Sequence, residues 1–301
     1  MTSEGSGRAV AVSLALVGFA GNSLLCRFAL GAGAIDPAAF TLVRLSSGAL
    51  TLALLARGRG SAASPAQPRG SWAGASALTV YAVCFSFAYV RLPAGVGALV
   101  LFAVTQATMI GWGMHRGDRP GARESIGIAV ALAGLVGLAA PGRTAPDAEG
   151  VALMAVAGIG WGSYSLLGRN AGDPIVSNAR AFARAAVPAA LVAFLLSTGP
   201  LSPTGVVLAT VSGALASGIG YSLWYAALPH LSRTRAAALQ LTVPLLAAVA
   251  GVVLLGEALT VRLVTAGLVI LGGVALSVLG APSSSRPGPP GPTESRSSPS
   301  H

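Results

Sequence analysis

The sequence predicts an all-α integral membrane protein with ten transmembrane helices, arranged as two inverted five-helix repeats. Of its 301 residues, 53% are hydrophobic and 9% are charged, whereas roughly 25% of the residues of a soluble globular domain are charged. The hydrophobic residues form blocks of about 20, the helix length that crosses ~30 Å of hydrocarbon. Residues 264–279 are apolar on every face, which favours helices over the alternating strands of a β-barrel.

Short polar or Gly- and Pro-containing breaks separate the apolar blocks and define the predicted helices. An even number of crossings places both termini on one side of the membrane. Residues 1–8 precede the first helix, and residues 281–301, rich in Pro, Ser and Gly, predict a disordered tail. The predicted helices cover residues 9–30, 37–56, 72–90, 94–114, 125–140, 151–168, 175–197, 206–228, 235–255 and 261–280.

The net charge of +10 reflects the placement of arginines in loops. Such a charge also occurs in nucleic-acid-binding proteins, but here the short loops between apolar blocks carry most of it, as the positive-inside rule describes. If the amino terminus is inside, Arg91, Arg143 and Arg262 lie outside. We therefore expect a multi-pass protein of the cytoplasmic (inner) membrane, with both termini cytoplasmic, the lipid bilayer around it and no nucleic-acid partner. The cytoplasmic arginines are then Arg8, Arg57, Arg59, Arg69, Arg116, Arg119, Arg123, Arg169, Arg233, Arg235, Arg286 and Arg296.

An internal repeat relates residues 9–140 to residues 151–280. Because each copy has five predicted helices, an odd number, the second copy enters the membrane in the opposite orientation. Inverted repeats around a central site are typical of transporters that work by alternating access. At an offset near 140, SLLCR at 23–27 aligns with SLLGR at 165–169, Arg44 with Arg184, Phe85-Ser86 with Tyr221-Ser222, Tyr89 with Tyr225, Leu92-Pro93 with Leu228-Pro229, and Gly117-Asp118 with Gly256-Glu257.

Motifs in both copies resemble those of EamA-type permeases of the drug/metabolite transporter superfamily. The first copy contains Asn22, Arg27, Asp36-Pro37, Phe40 and Arg44; the second contains Ala236-Ala237-Ala238-Leu239, Pro244, Leu255-Gly256-Glu257, Gly267 and Gly272-Gly273. The sequence departs from the family pattern at Gln106, where Pro is common, and at Gly117-Asp118, which replaces Gly-Glu. The resemblance implies a ten-helix fold, a substrate cavity between the repeats, and transport of amino acids, related metabolites or drugs.

Intramembrane arginines are the charged candidates for a site. Arg44 lies about seven residues into its predicted helix, at ~10 Å depth, where a charge costs about 2.5–3.5 kcal/mol or more. It either binds a substrate carboxylate or donates structural hydrogen bonds between the repeats, and its repeat partner Arg184 is the second candidate. Arg27 and Arg180 lie closer to helix ends, where an arginine can reach the interface, so we expect gating or structural roles for them.

Polar and aromatic residues within the apolar blocks are the uncharged candidates. Asn22, Gln106 and Gln240 lie inside predicted helices, where each side chain either binds a solute or joins two helices. Trp161, Tyr164 and Tyr221 are expected to line the cavity. Pro244, which frees a backbone carbonyl, and Glu257, at the outer end of the ninth helix, are expected to be gating or structural.

These features predict a secondary transporter that moves a small polar metabolite, such as an amino acid or related solute, by alternating access. Positive walls at Arg44 and Arg184 would favour a carboxylate-bearing solute. A membrane-embedded enzyme or scaffold is the alternative. The predicted spans contain no His, Asp or Glu, and Cys26 and Cys84 lack metal-ligand spacing. We therefore expect no enzymatic activity, catalytic residue, metal or cofactor, and a homodimer is left open.

Overall fold

The computed structural model describes residues 3–58, 72–117, 121–168, 173–231, 236 and 239–280. Within these segments, nine helices have the length and hydropathy needed to cross a membrane, and a tenth apolar helix is shorter. The described part of the chain contains no strand beyond the isolated bridge between Ile35 and Leu201. The prediction of an all-α, multi-pass membrane protein is therefore confirmed.

The helices follow the apolar blocks because a chain in hydrocarbon has to satisfy its backbone hydrogen bonds internally. The eighth helix includes a π-helical segment, Ser212–Ile219, which the sequence analysis did not predict. The helices are α1 Ser3–Gly31, α2 Pro37–Gly58, α3 Trp72–Arg91, α4 Ala94–His115, α5 Ala122–Ala139, α6 Ala148–Gly168, α7 Pro174–Leu196, α8 Pro203–His230, α9 Thr242–Leu255 and α10 Val261–Gly280.

The start of α9 differs most from its predicted position. The sequence predicted a helix over residues 235–255, whereas α9 begins at Thr242, with Pro244 in its first turn. Pro is tolerated there because the first-turn amides have no intrahelical acceptor, while a Pro deeper in the helix would remove a hydrogen bond. Ala236 and residues 239–240 are also helical, but residues 232–235, 237 and 238 lie outside the described part of the chain.

The two halves of the chain interlock through their first helices. Helix α1 packs against α8 and α9, whereas α6 packs against α3 and α4; α2 packs against α7, and α5 against α10. A Cβ atom at Gly18 of α1 would lie 3.3 Å from the Ala216 carbonyl oxygen, and one at Gly160 of α6 would lie 3.0 Å from the Ala77 carbonyl oxygen. Small residues thus allow close backbone contact at both crossings.

The contact between α5 and α10 is reciprocal. A Cβ atom at Gly273 would lie 2.5 Å from the Ala131 amide nitrogen and 2.7 Å from the Gly127 carbonyl oxygen. A Cβ atom at Gly127 would in turn lie 2.5 Å from the Gly273 carbonyl oxygen and would meet the Ser277 backbone. Neither position has room for a methyl group unless the helices separate.

We therefore expect Gly273→Ala to lower the free energy of unfolding by about 1–3 kcal/mol, the usual cost of overpacking. The neighbouring Gly272 is a matched control, because a Cβ atom there would meet nothing within 4 Å. Thermal unfolding of the purified protein in detergent measures the difference. Equal midpoints for the two variants would contradict the close α5–α10 contact.

Candidate functional site

Arg44 lies at the centre of the bundle, on α2, with 1% of its surface exposed. Its Nε donates to Ser217 Oγ at 3.1 Å, and its Nη2 donates to the hydroxyls of Tyr81 and Tyr221, each at 3.0 Å. The guanidinium carbon lies 5.2 Å from the centre of the Tyr81 ring and 4.9 Å from that of Phe85, within the range of cation–π attraction. All these partners are uncharged.

Asn22 of α1 extends this network to a fourth helix. Its Nδ2 donates to the Tyr81 hydroxyl at 3.2 Å, and its Oδ1 accepts from the hydroxyls of Ser212 and Ser217. The Tyr221 hydroxyl also donates to that of Tyr81 at 3.0 Å. A single hydrogen-bonded cluster therefore connects α1, α2, α3 and α8 inside the bundle.

The π-helical segment of α8 places both serines in this cluster. Residues five apart in an α-helix point about 140° away from each other, whereas the i→i+5 hydrogen bonding of a π-helix brings them closer to one face. Ser212 and Ser217 are five apart and both reach Asn22 Oδ1. Sequence reasoning missed these serines and Tyr81. Their available signals were the small-residue run SGALASGIG and the position of Tyr81 one turn before Phe85.

An aromatic wall and a small cavity adjoin the cluster. The Trp161 ring centre lies 4.6 Å from that of Tyr221 and 5.2 Å from that of Tyr81, and Phe19 packs edge-on against Trp161 and Tyr221. These residues line the cavity together with Asn22. Only about 10 Å³ is accessible to the centre of a water molecule, roughly the space of one water, so the site is closed in this conformation.

Three buried side-chain atoms in the described part of the chain have no hydrogen-bond partner: Arg44 Nη1, Trp161 Nε1 and Ser165 Oγ. A buried donor without an acceptor costs about 1–3 kcal/mol. Arg44 also forms no ion pair with any other described residue. The site therefore combines an uncompensated positive charge with two unused N–H donors, which suits a ligand that carries an anionic oxygen.

Arg184 is not brought together with Arg44, although the sequence analysis paired them. The buried face of α7 carries Asn178 and Phe182. Arg184 lies two residues beyond Phe182, which at 3.6 residues per turn points to the opposite side of the helix. Its guanidinium carbon lies 5.4 Å from the centre of the Trp72 ring. Arg180, one turn closer to the start of α7, is half-buried.

The remaining candidate residues occupy three other places. Tyr164 donates to Asn178 Oδ1 and links α6 to α7, while the Gln106 amide donates to Gln240 Oε1 at 3.4 Å. Pro244 is buried in the first turn of α9 and is not among the residues that line the cavity. Arg27 and Glu257, which the sequence analysis placed near helix ends, form an ion pair with a distance of 3.1 Å, and Arg27 also donates to two backbone carbonyls.

The chain is similar in sequence or in fold to several known proteins. The sequence profile of the EamA-like transporter family matches residues 148–279. The uncharacterized protein PA1977 of Pseudomonas aeruginosa is 51% identical over 265 residues, 87% of this chain and 91% of that protein. An uncharacterized transporter of Archaeoglobus fulgidus is 27% identical over 208 residues, 66% of this chain and 73% of that protein. A chain of known crystal structure matches with a TM-score of 0.67 at 21% identity, over 92% of this chain and 99% of its own, which indicates a shared fold.

The tyrosine hydroxyls are expected to stabilise Arg44 jointly. Tyr81→Phe or Tyr221→Phe leaves one acceptor on Nη2, and each should lower the free energy of unfolding by about 1–3 kcal/mol. The double variant leaves Nη2 unpaired, so its loss should exceed the sum of the single losses. Thermal unfolding in detergent tests this, with Tyr225→Phe as a control because the Tyr225 hydroxyl donates to the Tyr164 carbonyl at 3.4 Å and does not bind Arg44. The joint role would be contradicted if the losses in free energy of unfolding were additive and each was no larger than that of Tyr225→Phe.

Proposed function

Because the chain belongs to the EamA-like transporter family, we propose that it is a secondary transporter of the cytoplasmic membrane, which carries a small carboxylate-bearing metabolite by alternating access. Amino acids and related organic acids are the solutes of this kind. The observation that carries the proposal is the buried Arg44, whose described partners are all uncharged and whose Nη1 has no acceptor.

Charge is the first argument for a carboxylate. A guanidinium inside the membrane costs about 2.5–3.5 kcal/mol or more on insertion scales, and hydroxyl acceptors offset that cost without neutralising the charge. A bound carboxylate would supply the opposite charge and accept from Nη1 in the charge-assisted geometry that arginine favours. Trp161 Nε1 is a second donor, also without a partner. The positive site and its two donors therefore favour an anionic oxygen over a neutral one.

The cavity walls suggest how the rest of the solute would be held. The rings of Phe19, Trp161 and Tyr221 offer apolar faces, while the Tyr221 hydroxyl, which accepts from Arg44 Nη2, can also accept a hydrogen bond from an amino group. A cavity of about one water cannot hold an amino acid. The helices therefore have to separate for the solute to enter, and we interpret this conformation as one closed between the outward- and inward-open states.

Paired contacts in the two halves support an inverted repeat, the architecture that alternating access uses. Thr41 of α2 donates to Ser86 Oγ of α3 at 2.8 Å. In the register that aligns Asp36 with Asp173, instead of Arg44 with Arg184, Thr41 corresponds to Asn178 of α7, which donates to Ser222 Oγ of α8 at 3.4 Å. An Asp precedes both α2 and α7, and its carboxylate accepts from two amides of the first turn in each case. The reciprocal α5–α10 contact is consistent with the same arrangement.

Transport by proteoliposomes tests the role of Arg44. We expect Arg44→Gln to lower the initial uptake rate of carboxylate-bearing solutes more than about tenfold, the effect of losing ~1.4 kcal/mol of interaction. Arg44→Lys should recover only part of the rate, because lysine keeps the charge but not the planar fork. Radiolabelled amino acids and organic acids are screened with the wild type, and the transported solute is then used for each variant.

Arg184→Gln is the matched control, since it removes an intramembrane arginine that contacts Trp72 instead of the Arg44 cluster. Its uptake rate should remain close to that of the wild type. A folded Arg44→Gln protein with wild-type uptake would make Arg44 structural only. Repeating the assay with and without a pH gradient determines whether protons drive the movement, because a rate indifferent to the gradient excludes proton coupling.

Membrane topology is a separate expectation. Arginine placement favours cytoplasmic termini, so green fluorescent protein fused to the carboxyl terminus should fluoresce, while alkaline phosphatase at the same position should be inactive. Alkaline phosphatase inserted between α5 and α6, beside Arg143, should be active because that loop is expected outside. The opposite pattern would reverse the orientation.

A further inference from the structure

An ion pair joins the two halves of the chain at one end of the bundle. Arg27 Nε on α1 lies 3.1 Å from Glu257 Oε1, between α9 and α10, with the side chains 24% and 12% exposed. The partners are 230 residues apart in the sequence. Another ion pair of the described chain, Arg91 with Glu149, is at least 41% exposed on both sides, and such surface pairs contribute little to stability.

Each member of the partly buried pair also binds a helix end. Arg27 Nη1 donates to the carbonyls of Tyr89 and Val90, at 3.1 Å and 3.2 Å, in the last turn of α3. The Glu257 carboxylate accepts from the amide of Ala94, the first residue of α4, at 3.0 Å and 2.8 Å. A cation at a helix carboxyl terminus and an anion at an amino terminus both complement the helix dipoles. The pair therefore holds α1 and the α9–α10 connection onto the α3–α4 turn.

Two glycines let the Glu257 carboxylate fold back over the end of α9. Gly256 has a φ of +65°, the left-handed conformation that commonly ends a helix and favours glycine. A Cβ atom at Gly251 would lie 2.5 Å from Glu257 Oε2, so the carboxylate occupies space that a side chain would fill. The backbone thus directs Glu257 toward α4 and not into solvent.

The ion pair lies at one end of the contact between α4 and α9. Next to it, a Cβ atom at Gly95 of α4 would lie 2.8 Å from the Ala248 Cβ of α9, so the helices touch here. Further along α4, Leu101 and Phe102 line the cavity. Beyond the cavity-lining residues, the Gln106 side-chain amide donates to Gln240 Oε1 at 3.4 Å, a hydrogen bond between two uncharged groups. The cavity-lining Ser23 lies one turn before Arg27 on α1, so separation of α1 from the α3–α4 turn at this end would open a route to the cavity.

We propose that Arg27, Glu257 and the Ala94 amide form the extracytoplasmic gate of the transporter. While the ion pair is intact, α1, α4 and the α9–α10 connection stay together and the cavity is closed from outside; the outward-open state requires the pair to separate. This inference rests on the proposed function and orientation. The charge-assisted Arg27–Glu257 pair is stronger than the long Gln106–Gln240 hydrogen bond on the other side of the cavity. The protein without bound solute therefore favours the outward-closed state.

Cys26 is a native reporter of this gate. It precedes Arg27, is fully buried, and is the only thiol left after Cys84→Ala, since the chain has two cysteines. In that background, a membrane-impermeant maleimide is added to right-side-out vesicles and the labelling rate of Cys26 is measured. Glu257→Gln keeps an oxygen for the Ala94 amide but removes the charge, and Arg27→Gln removes the charge from the other side. Both should label at least about tenfold faster, a shift of ~1.4 kcal/mol toward the open state.

Glu149→Gln is the matched control, because it breaks the exposed ion pair of Arg91; its Cys26 labelling should equal that of the parent. Arg27→Lys, a milder change, should give a smaller increase, since one ammonium cannot bind Glu257 and both α3 carbonyls in the same geometry. Labelling is compared only among variants that elute as a single species in size-exclusion chromatography in detergent, so that misfolded variants are left out. Unchanged labelling of Cys26 in Glu257→Gln, Arg27→Gln and Arg27→Lys would overturn the gate. An increase in labelling that is equally large in inside-out vesicles would overturn it as well. The readout needs no transported solute, so it stays interpretable if the uptake experiment fails.

Discussion

Burial of the Arg44 guanidinium is the constraint on which the centre of this bundle depends. In a low-dielectric interior the charge cannot be left without partners, and no described carboxylate neutralises it. Tyr81, Tyr221 and Ser217 instead surround it with hydroxyl oxygens. Asn22 then orients two members of this group from α1. The hydrogen bonds around one side chain thus fix the relative positions of four helices. A displacement of any of these helices would change the geometry of the site.

Close helix packing makes this arrangement possible. Gly213 and Gly48 lie where α8 meets α2: a Cβ atom at Gly48 would come within 2.9 Å of the Gly213 carbonyl oxygen. This approach brings the π-helical segment near enough for Ser217 to reach Arg44. π-Helical turns are less stable than α-helical ones and are frequent at functional sites. In the proposed transport cycle, this segment is where we expect α8 to change shape when the cavity opens.

In the proposed transport cycle, the closed cavity and the Arg27–Glu257 ion pair have different functions. The uncompensated Arg44 charge favours binding of an anion, while the ion pair is the proposed gate that closes the cavity from outside. A bound anion would lower the energy of the buried Arg44 charge, whereas separation of the helices would break the Arg27–Glu257 ion pair at a cost in energy. A ligand can shift a conformational equilibrium only through its different affinities for the two states. The proposed cycle therefore needs both a site that binds the ligand and a contact that breaks when the helices separate.

The sequence by itself determined the membrane fold, the approximate helices and the positions of Arg44 and Asn22 within apolar helices. Hydropathy is a local property, and a polar side chain within an apolar block stands out without knowledge of its neighbours. Tertiary structure alone decided which groups meet. The rotation of α7 turned Arg184 away toward Trp72, the π-helical turn recruited Ser212 and Ser217, and the fold of the α9–α10 connection brought Glu257 to Arg27. Each depends on helix rotation or on contacts across up to 230 residues, which no local pattern encodes.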